Sequence, residues 1–391
     1  MYDVILIRYG EIGLKGGNRK FFENILMNNL RQALSSLPEV QVFTSSGRIL
    51  VRAVGQLAEA TRCINQVFGV VSTSPVMVVK PEWSAIEAAA DQLIDASGII
   101  HTFKVEARRA DKSFPLNSPE INRTLGEYLL QSHPGLKVDV HSPDLKLEVE
   151  VRYREVLLYG SICPGPGGLP VSSSGRGLLL LSGGLDSPVA GWMAMKRGIK
   201  LSAVYFHSFP YTGDRSKEKV VSLAHHLAPY NQGEIKLYVA HITEIQEAIT
   251  HHCPEKFRVT ILRRMMLRIA QMIATREKAL ALITGESVGQ VASQTLESMN
   301  VIGAATKALI LKPVCGMDKT EIVEIARKID TYDTSILPYE DCCALFVPQH
   351  PVTRPVLEEV QAAEEEANVD WTELLQQSMN RLEIIRVKAK E

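Results

Sequence analysis

The stretch Leu178-Leu179-Leu180-Leu181-Ser182-Gly183-Gly184-Leu185-Asp186-Ser187-Pro188 runs from continuous apolar residues into a short Ser/Gly turn. Four leucines in a row read as a strand buried on both faces, the habit of a parallel sheet. Residues 188–197 read as the helix that follows, with Ser187 as N-cap and Pro188 at the first helical position. Gly183 and Gly184 permit close backbone approach, and Ser182 and Ser187 add hydroxyls. A strand, a tight loop and a helix N-terminus with free amides suit a phosphate group. Asp186 belongs in such a site only if it orients a donor or helps hold a metal. The loop lacks the Gly-Lys-Ser/Thr of a Walker A motif and is not G-x-G-x-x-G. The plain alternative is a Ser/Gly turn entering a helix.

Downstream the pattern continues as βα repeats. Strands are expected over 201–206, 235–239, 279–284 and 309–311, with helices over 217–227 and 257–275. This alternation predicts an α/β domain over 176–391 with a Rossmann-like parallel sheet covered on both faces. Its last part, 355–391, reads as two polar-faced helices broken near Asn368. Upstream, the Pro/Gly/Ser-rich stretch 163–175 reads as a linker. Before it, short strands alternate with helices, which suggests two small α+β units over 1–72 and 73–162.

A length of 391 residues accommodates three such units. The net charge of −1 gives no global positive field, so nucleic-acid binding would need a local basic face. No apolar stretch approaches the roughly 18 residues needed to span a bilayer. The start, Met1 to Ile7, lacks the basic flank of a signal peptide and reads as a strand, so the cytoplasm is the expected compartment. The six cysteines form no C-x-x-C pair. For Cys63, Cys163, Cys253 and Cys315 a structural, buried role is expected. His225-His226 and His251-His252-Cys253 lack partners at zinc-site spacing, so no resident metal is expected.

The hexapeptide S-G-G-x-D-S, here residues 182–187, resembles the signature of the PP-loop ATP pyrophosphatases, which cleave ATP between its α- and β-phosphates. A second segment, residues 284–299, leaves a strand end as T-G-E-S-V-G-Q-V-A-S-Q-T-L-E-S-M. Together with S-G-G-L-D-S-P-V-A-G-W it resembles the bacterial tRNA 4-thiouridine synthetases. Residues 103–114, F-K-V-E-A-R-R-A-D-K-S-F, resemble that family's THUMP RNA-binding domain, and residues 8–19 its N-terminal ferredoxin-like domain. The expected order is thus a ferredoxin-like unit, a THUMP domain and a PP-loop (adenine nucleotide alpha hydrolase-like) domain.

The resemblance implies an ATP site at Leu180, Leu181, Ser182, Gly183, Gly184, Asp186, Ser187, Tyr205, Phe206, Arg263, Gly285 and Gln294, with ATP arriving as its Mg²⁺ complex. A strand end at Tyr205-Phe206 offers backbone groups and an aromatic wall to adenine. For Arg263 the competing reading is a surface arginine beside Arg264. Asp318 and Glu321 fit a capping box, and Lys319 matches a family lysine near the phosphates. The expected catalytic residues are Asp186, Lys319 and a sulfur-handling cysteine in Y-E-D-C-C-A; spacing to Pro351 favours Cys343, and Cys342 stays open.

The implied reaction adenylates O4 of uridine 8 in tRNA, after which persulfide or hydrosulfide sulfur attacks C4. Many members carry a C-terminal rhodanese domain, and none is read here, so sulfur is expected from a cysteine desulfurase or another persulfide carrier. The family's second role, sulfur supply for thiamine, is linked to that domain. Lys15, Arg19, Lys104, Arg108, Arg109 and Lys112, interleaved with Gly, Ser and Phe114, are the expected RNA contacts. A homodimer is also implied. The rival functions are a PP-loop enzyme acting on another RNA base or a small substrate, and a non-catalytic THUMP protein.

Overall fold

The computed structural model describes residues 3–45, 47–339 and 352–389. The chain divides into two compact units, Met1–Gly168 and Leu169–Glu391.

In chain order the first unit contains β1 Val4–Tyr9, α1 Arg19–Ala33, β2 Gln41–Ser45, β3 Arg48–Arg52, α2 Leu57–Ile64, β4 Val70–Val79, α3 Trp83–Ala96, β5 Thr102–Arg109, α4 Ser118–Ser132, β6 Lys137–Val138, β7 Leu145–Val151, β8 Val156–Tyr159 and β9 Cys163–Pro164. The strands lie in the order β2-β3-β1-β4-β8-β7-β5-β6, with β9 against β4. Strand β4 is shared: its residues 70–76 pair antiparallel with β1, and Met77 to Val79 pair antiparallel with β8. Apolar residues of α1 and α2 close one core, around Ile5, Ile7, Leu26 and Leu30. Those of α3 and α4 close another, around Ile86, Phe103, Leu125 and Leu147. The α4 start follows from its sequence, since Asn117 and Glu120 form a reciprocal capping box.

The second unit contains β10 Arg176–Leu180, α5 Asp186–Lys196, β11 Lys200–His207, α6 Asp214–Leu227, β12 Glu234–His241, α7 Thr243–His252, α8 Arg258–Glu277, β13 Ala281–Ile283, α9 Leu296–Gly303, β14 Leu309–Leu311, α10 Lys319–Lys328, α11 Tyr332–Ser335, α12 Leu357–Glu366, α13 Trp371–Asn380 and β15 Glu383–Lys388. The sheet order is β14-β13-β10-β11-β12-β15. The first five of these strands run parallel, and β15 is antiparallel to β12. The chain builds β10, β11 and β12 outward in one direction, then returns to the other side of β10 with β13 and β14. The order therefore reverses at β10, and in open α/β sheets ligands bind outside the C-terminal strand ends at that switch point.

Three expectations are corrected. The tail is two helices followed by the edge strand β15 rather than helices alone. Helix α5 begins at Asp186, so Ser187 is not its cap. The Ser187 hydroxyl turns back instead, accepting from the Ser182 amide at 2.9 Å, and Pro188 still falls in the first turn, where its missing N–H costs nothing. The stretch read as a linker is tied in on both sides of Gly168: β9 pairs with β4 in the first unit, and Leu169 and Val171 are buried in the second.

Candidate active site

A cavity of about 250 Å³ opens at the C-terminal end of β10. Leu180, Leu181, Ser182, Asp186, Ser187, Tyr205, Phe206, Arg263, Gly285 and Gln294 all line it, ten residues from four parts of the sequence. Leu180 ends β10 and Leu181 follows it, and Tyr205 and Phe206 near the end of β11 are almost fully buried. Arg263 projects from α8 into the cavity, whereas its neighbour Arg264 is buried against Glu364. Gly183 and Gly184 complete the loop, Gly183 passing over the aliphatic stem of Lys219.

Gly285 seats the second loop against the first. A Cβ built there would lie 2.5 Å from the Ser187 nitrogen and 2.7 Å from the Asp186 carbonyl carbon. Both are backbone atoms that cannot swing aside. Gly285→Ala is therefore expected to cost about 1–3 kcal/mol of stability through overpacking. Chemical denaturation of the variant checks this, and an unchanged midpoint would mean that the two loops are not in the contact described.

Asp186 sits at the mouth of the loop. Its Oδ1 accepts from Lys319 Nζ at 2.9 Å and its Oδ2 from Gln290 Nε2 at 3.2 Å. Asp186 thus orients donors, one of the two roles the sequence left for it. Asp318 caps α10, accepting from the Thr320 and Glu321 amides, while the Glu321 carboxylate accepts from the Asp318 amide. The capping box explains Asp318 and Glu321 structurally and leaves Lys319, first residue of the helix, aimed at the loop.

The cavity also contains residues that the sequence reading left without a role. Met266, Leu267, Ile302 and Ile310 supply apolar wall, while Glu286 and Lys312 carry charge. Lys312 stood in plain view, directly after an apolar strand at the sheet edge where ligands bind.

Cys342 and Cys343 lie outside the described residues. Of the other cysteines, Cys253 is buried and its thiol is pushed up to about 11, chiefly by desolvation, which suits an unreactive group. Cys315 is exposed, contrary to the expected burial, because it occupies the turn between β14 and α10. No cluster of His, Cys, Asp and Glu suited to a metal occurs among the described residues. No helix among them is long and apolar enough to cross a membrane.

In the first unit five of the six expected RNA-contacting cations have protein partners of varied kind. Lys15 pairs with Glu11, Arg19 with Glu23, and Lys104 and Arg108 with Glu106. These are partly or largely exposed pairs, worth little in stability. Arg109 differs, donating to the carbonyls of Phe114 and Leu116 and so shaping its loop. Phe114 is buried in the core and is no stacking surface. Lys112 is exposed on that same loop.

The family model for "Thiamine biosynthesis protein (ThiI)" matches residues 172–369, that for the ThiI ferredoxin-like domain residues 4–74, and that for the THUMP domain residues 82–160. The three stand in the order expected from the motifs. A relative in Moorella thermoacetica, named "Probable tRNA sulfurtransferase", is 52% identical over 99% of this chain and 98% of its own length. One of the same name in Halothermothrix orenii is 51% identical over 99% of this chain and 100% of its own. A solved 4-thiouridine synthetase–RNA complex with bound ATP is 36% identical, covers 99% of this chain and 100% of that one, and has a TM-score of 0.92. With three matches in sequence order and relatives of more than half identity along nearly its whole length, this chain belongs to the ThiI family.

Proposed function

We propose that the chain is an ATP-dependent tRNA sulfurtransferase that converts uridine 8 of tRNA to 4-thiouridine. The observation that carries this reading is the convergence of the Ser182–Ser187 loop, Asp186 with Lys319, and the Gly285 loop at one cavity beside the α5 N-terminus. The relative solved with RNA and ATP supports it over the same length of chain.

The chemistry follows from the substrate. The uracil C4 carbonyl is a poor electrophile because oxygen leaves badly. Attack of O4 on the α-phosphate of ATP, entering as its Mg²⁺ complex, would form an adenylate and release pyrophosphate. Hydrosulfide would then add at C4 and expel AMP directly. A protein persulfide attacking C4 would expel AMP and leave a disulfide to the carrier cysteine, which a second thiol would cleave, freeing the 4-thiouridine and joining the two thiols as a disulfide. The α5 amides and the Gly183-Gly184 backbone would hold the phosphates, and Lys319 would offset charge on the departing pyrophosphate. Tyr205 and Phe206 would wall the adenine, with Leu180, Leu181, Arg263 and Gln294 completing the nucleotide site. Cys343 or Cys342 would handle sulfur supplied by a cysteine desulfurase or another persulfide carrier. Lys15, Arg19, Lys104, Arg108 and Lys112 would face tRNA, with Arg109 holding the loop of Lys112. A homodimer would let one copy's RNA-binding unit serve the other copy's active site.

The test is mass analysis of tRNA nucleosides after incubation with ATP, Mg²⁺, a desulfurase and cysteine, with Cys342→Ser and Cys343→Ser alongside. A 16-dalton gain on uridine, roughly the difference between sulfur and oxygen, with matching AMP release is expected, and one cysteine variant should lose it. ATP turnover indifferent to tRNA, with no thiolated nucleoside, would point to a small-molecule substrate instead.

A further inference from the structure

Glu286 stands one residue past Gly285, on the wall of the cavity. Its Oε1 accepts from Arg263 Nη1 at 3.2 Å, reaching across from α8. Its Oε2 lies 3.1 Å from Lys312 Nζ, just beyond β14, and accepts from Thr284 Oγ1 at 3.1 Å. Thr284, Arg263, Glu286 and Lys312 all line the same cavity. The carboxylate is 13% exposed and the two cations 22% and 21%, so this bridge is largely shielded from water.

Two long cationic side chains directed at one small cavity repel each other. Left alone, each gains rotamer freedom and hydration by swinging outward. A carboxylate between them cancels the repulsion and fixes both rotamers before any ligand arrives, which lowers the ordering cost of binding. Two cations against one carboxylate still leave that wall with one positive charge in surplus, the sign a polyphosphate needs. The adjoining Gly285 packs on the Asp186–Ser187 backbone, so the bridge is next to the start of α5 where anions are favoured.

We propose that Glu286 is a positioning residue that presents Arg263 and Lys312 to the phosphates of ATP, and that Lys312 is a further nucleotide-binding residue. The assignment rests on the ATP-using reading above. Glu286 has no direct part in the chemistry: its oxygens are engaged by protein donors, and it acts through the two cations.

Glu286→Gln separates positioning from bulk electrostatics because the two predict opposite signs. Removing a negative charge beside the site would, by charge alone, tighten ATP binding. Breaking the bridge would loosen it. We expect Glu286→Gln and Lys312→Met each to weaken ATP binding by about tenfold, measured by calorimetric titration of the full chain without RNA, with Lys312→Arg close to wild type. In turnover assays the loss should fall on KM for ATP more than on kcat. Tighter or unchanged binding in Glu286→Gln, or wild-type binding in Lys312→Met, overturns the assignment. Thermal melting accompanies each titration; Lys312→Met, whose head group lies at the cavity wall, remains decisive if Glu286→Gln fails to fold. A wild-type chain that binds no ATP would sink the underlying functional reading, whereas wild-type binding with indifferent variants sinks only this proposal.

Discussion

Asp186→Ala is expected to lower 4-thiouridine formation by about a hundred- to a thousandfold, the scale seen when a group organising transition-state charge is removed. Asp186 holds Lys319 on one oxygen and Gln290 on the other, so a single carboxylate sets both the cation and the amide over the loop. Without it, Lys319, already 48% exposed, has no anchor at the cavity mouth. The fold should survive, because the alanine removes only a first-turn acidic residue whose helix-dipole contribution is about 0.3–1 kcal/mol. RNA affinity should also persist, since the expected RNA contacts lie in the first unit. AMP release and nucleoside mass analysis read the first effect, and filter retention of labelled tRNA reads the second. Sustained thiolation by this variant would rule out the assigned role of Asp186.

The second large effect concerns stability. Arg264 is 1% exposed, and its Nε donates to Glu364 Oε1 at 2.6 Å while Nη1 donates to the Val301 carbonyl at 2.6 Å. Glu364 is itself buried and is also reached by Arg268 Nη2 at 2.5 Å. Arg264→Met leaves that carboxylate short of a partner and the carbonyl unsatisfied, so a loss of about 3–5 kcal/mol is expected. The double variant Arg264→Met/Glu364→Leu should recover part of the loss, because no buried carboxylate is then stranded. Chemical denaturation of the single and double variants measures both. A cost below about 1 kcal/mol for Arg264→Met would show that the pair does not hold α12 against α8.

The adjacent arginines also show what could be read from sequence. The strand, turn and helix around residues 182–187 were legible because their signals are local: a run of four leucines, two glycines and a proline within eleven residues. Which of Arg263 and Arg264 enters the cavity was not a local matter. It depends on Glu364, a hundred residues away, which holds Arg264 inside. The bridge from Glu286 to Lys312 was hidden for the same reason, because it joins two strand ends that become neighbours only when β14 pairs with β13. Strand β15 was missed despite its alternation, with Ile385 and Val387 turned inward between the exposed Ile384, Arg386 and Lys388. Its six residues follow two helices closely, and their charges suit an edge strand as well as a solvated helix face. Arg109 misled in the opposite direction: it belongs to a basic cluster by sequence, yet its guanidinium ties down its own loop.

Strand β4 gives its first part to β1 and its last to β8, so one uninterrupted peptide runs through both halves of the first unit's sheet. Hinges need a stretch of backbone free to change its dihedrals, and a strand hydrogen-bonded on both sides of the join supplies none. An RNA laid along this unit would meet a gauge of fixed length, so its selectivity would come from the spacing of phosphates on a folded RNA rather than from adjustment upon contact.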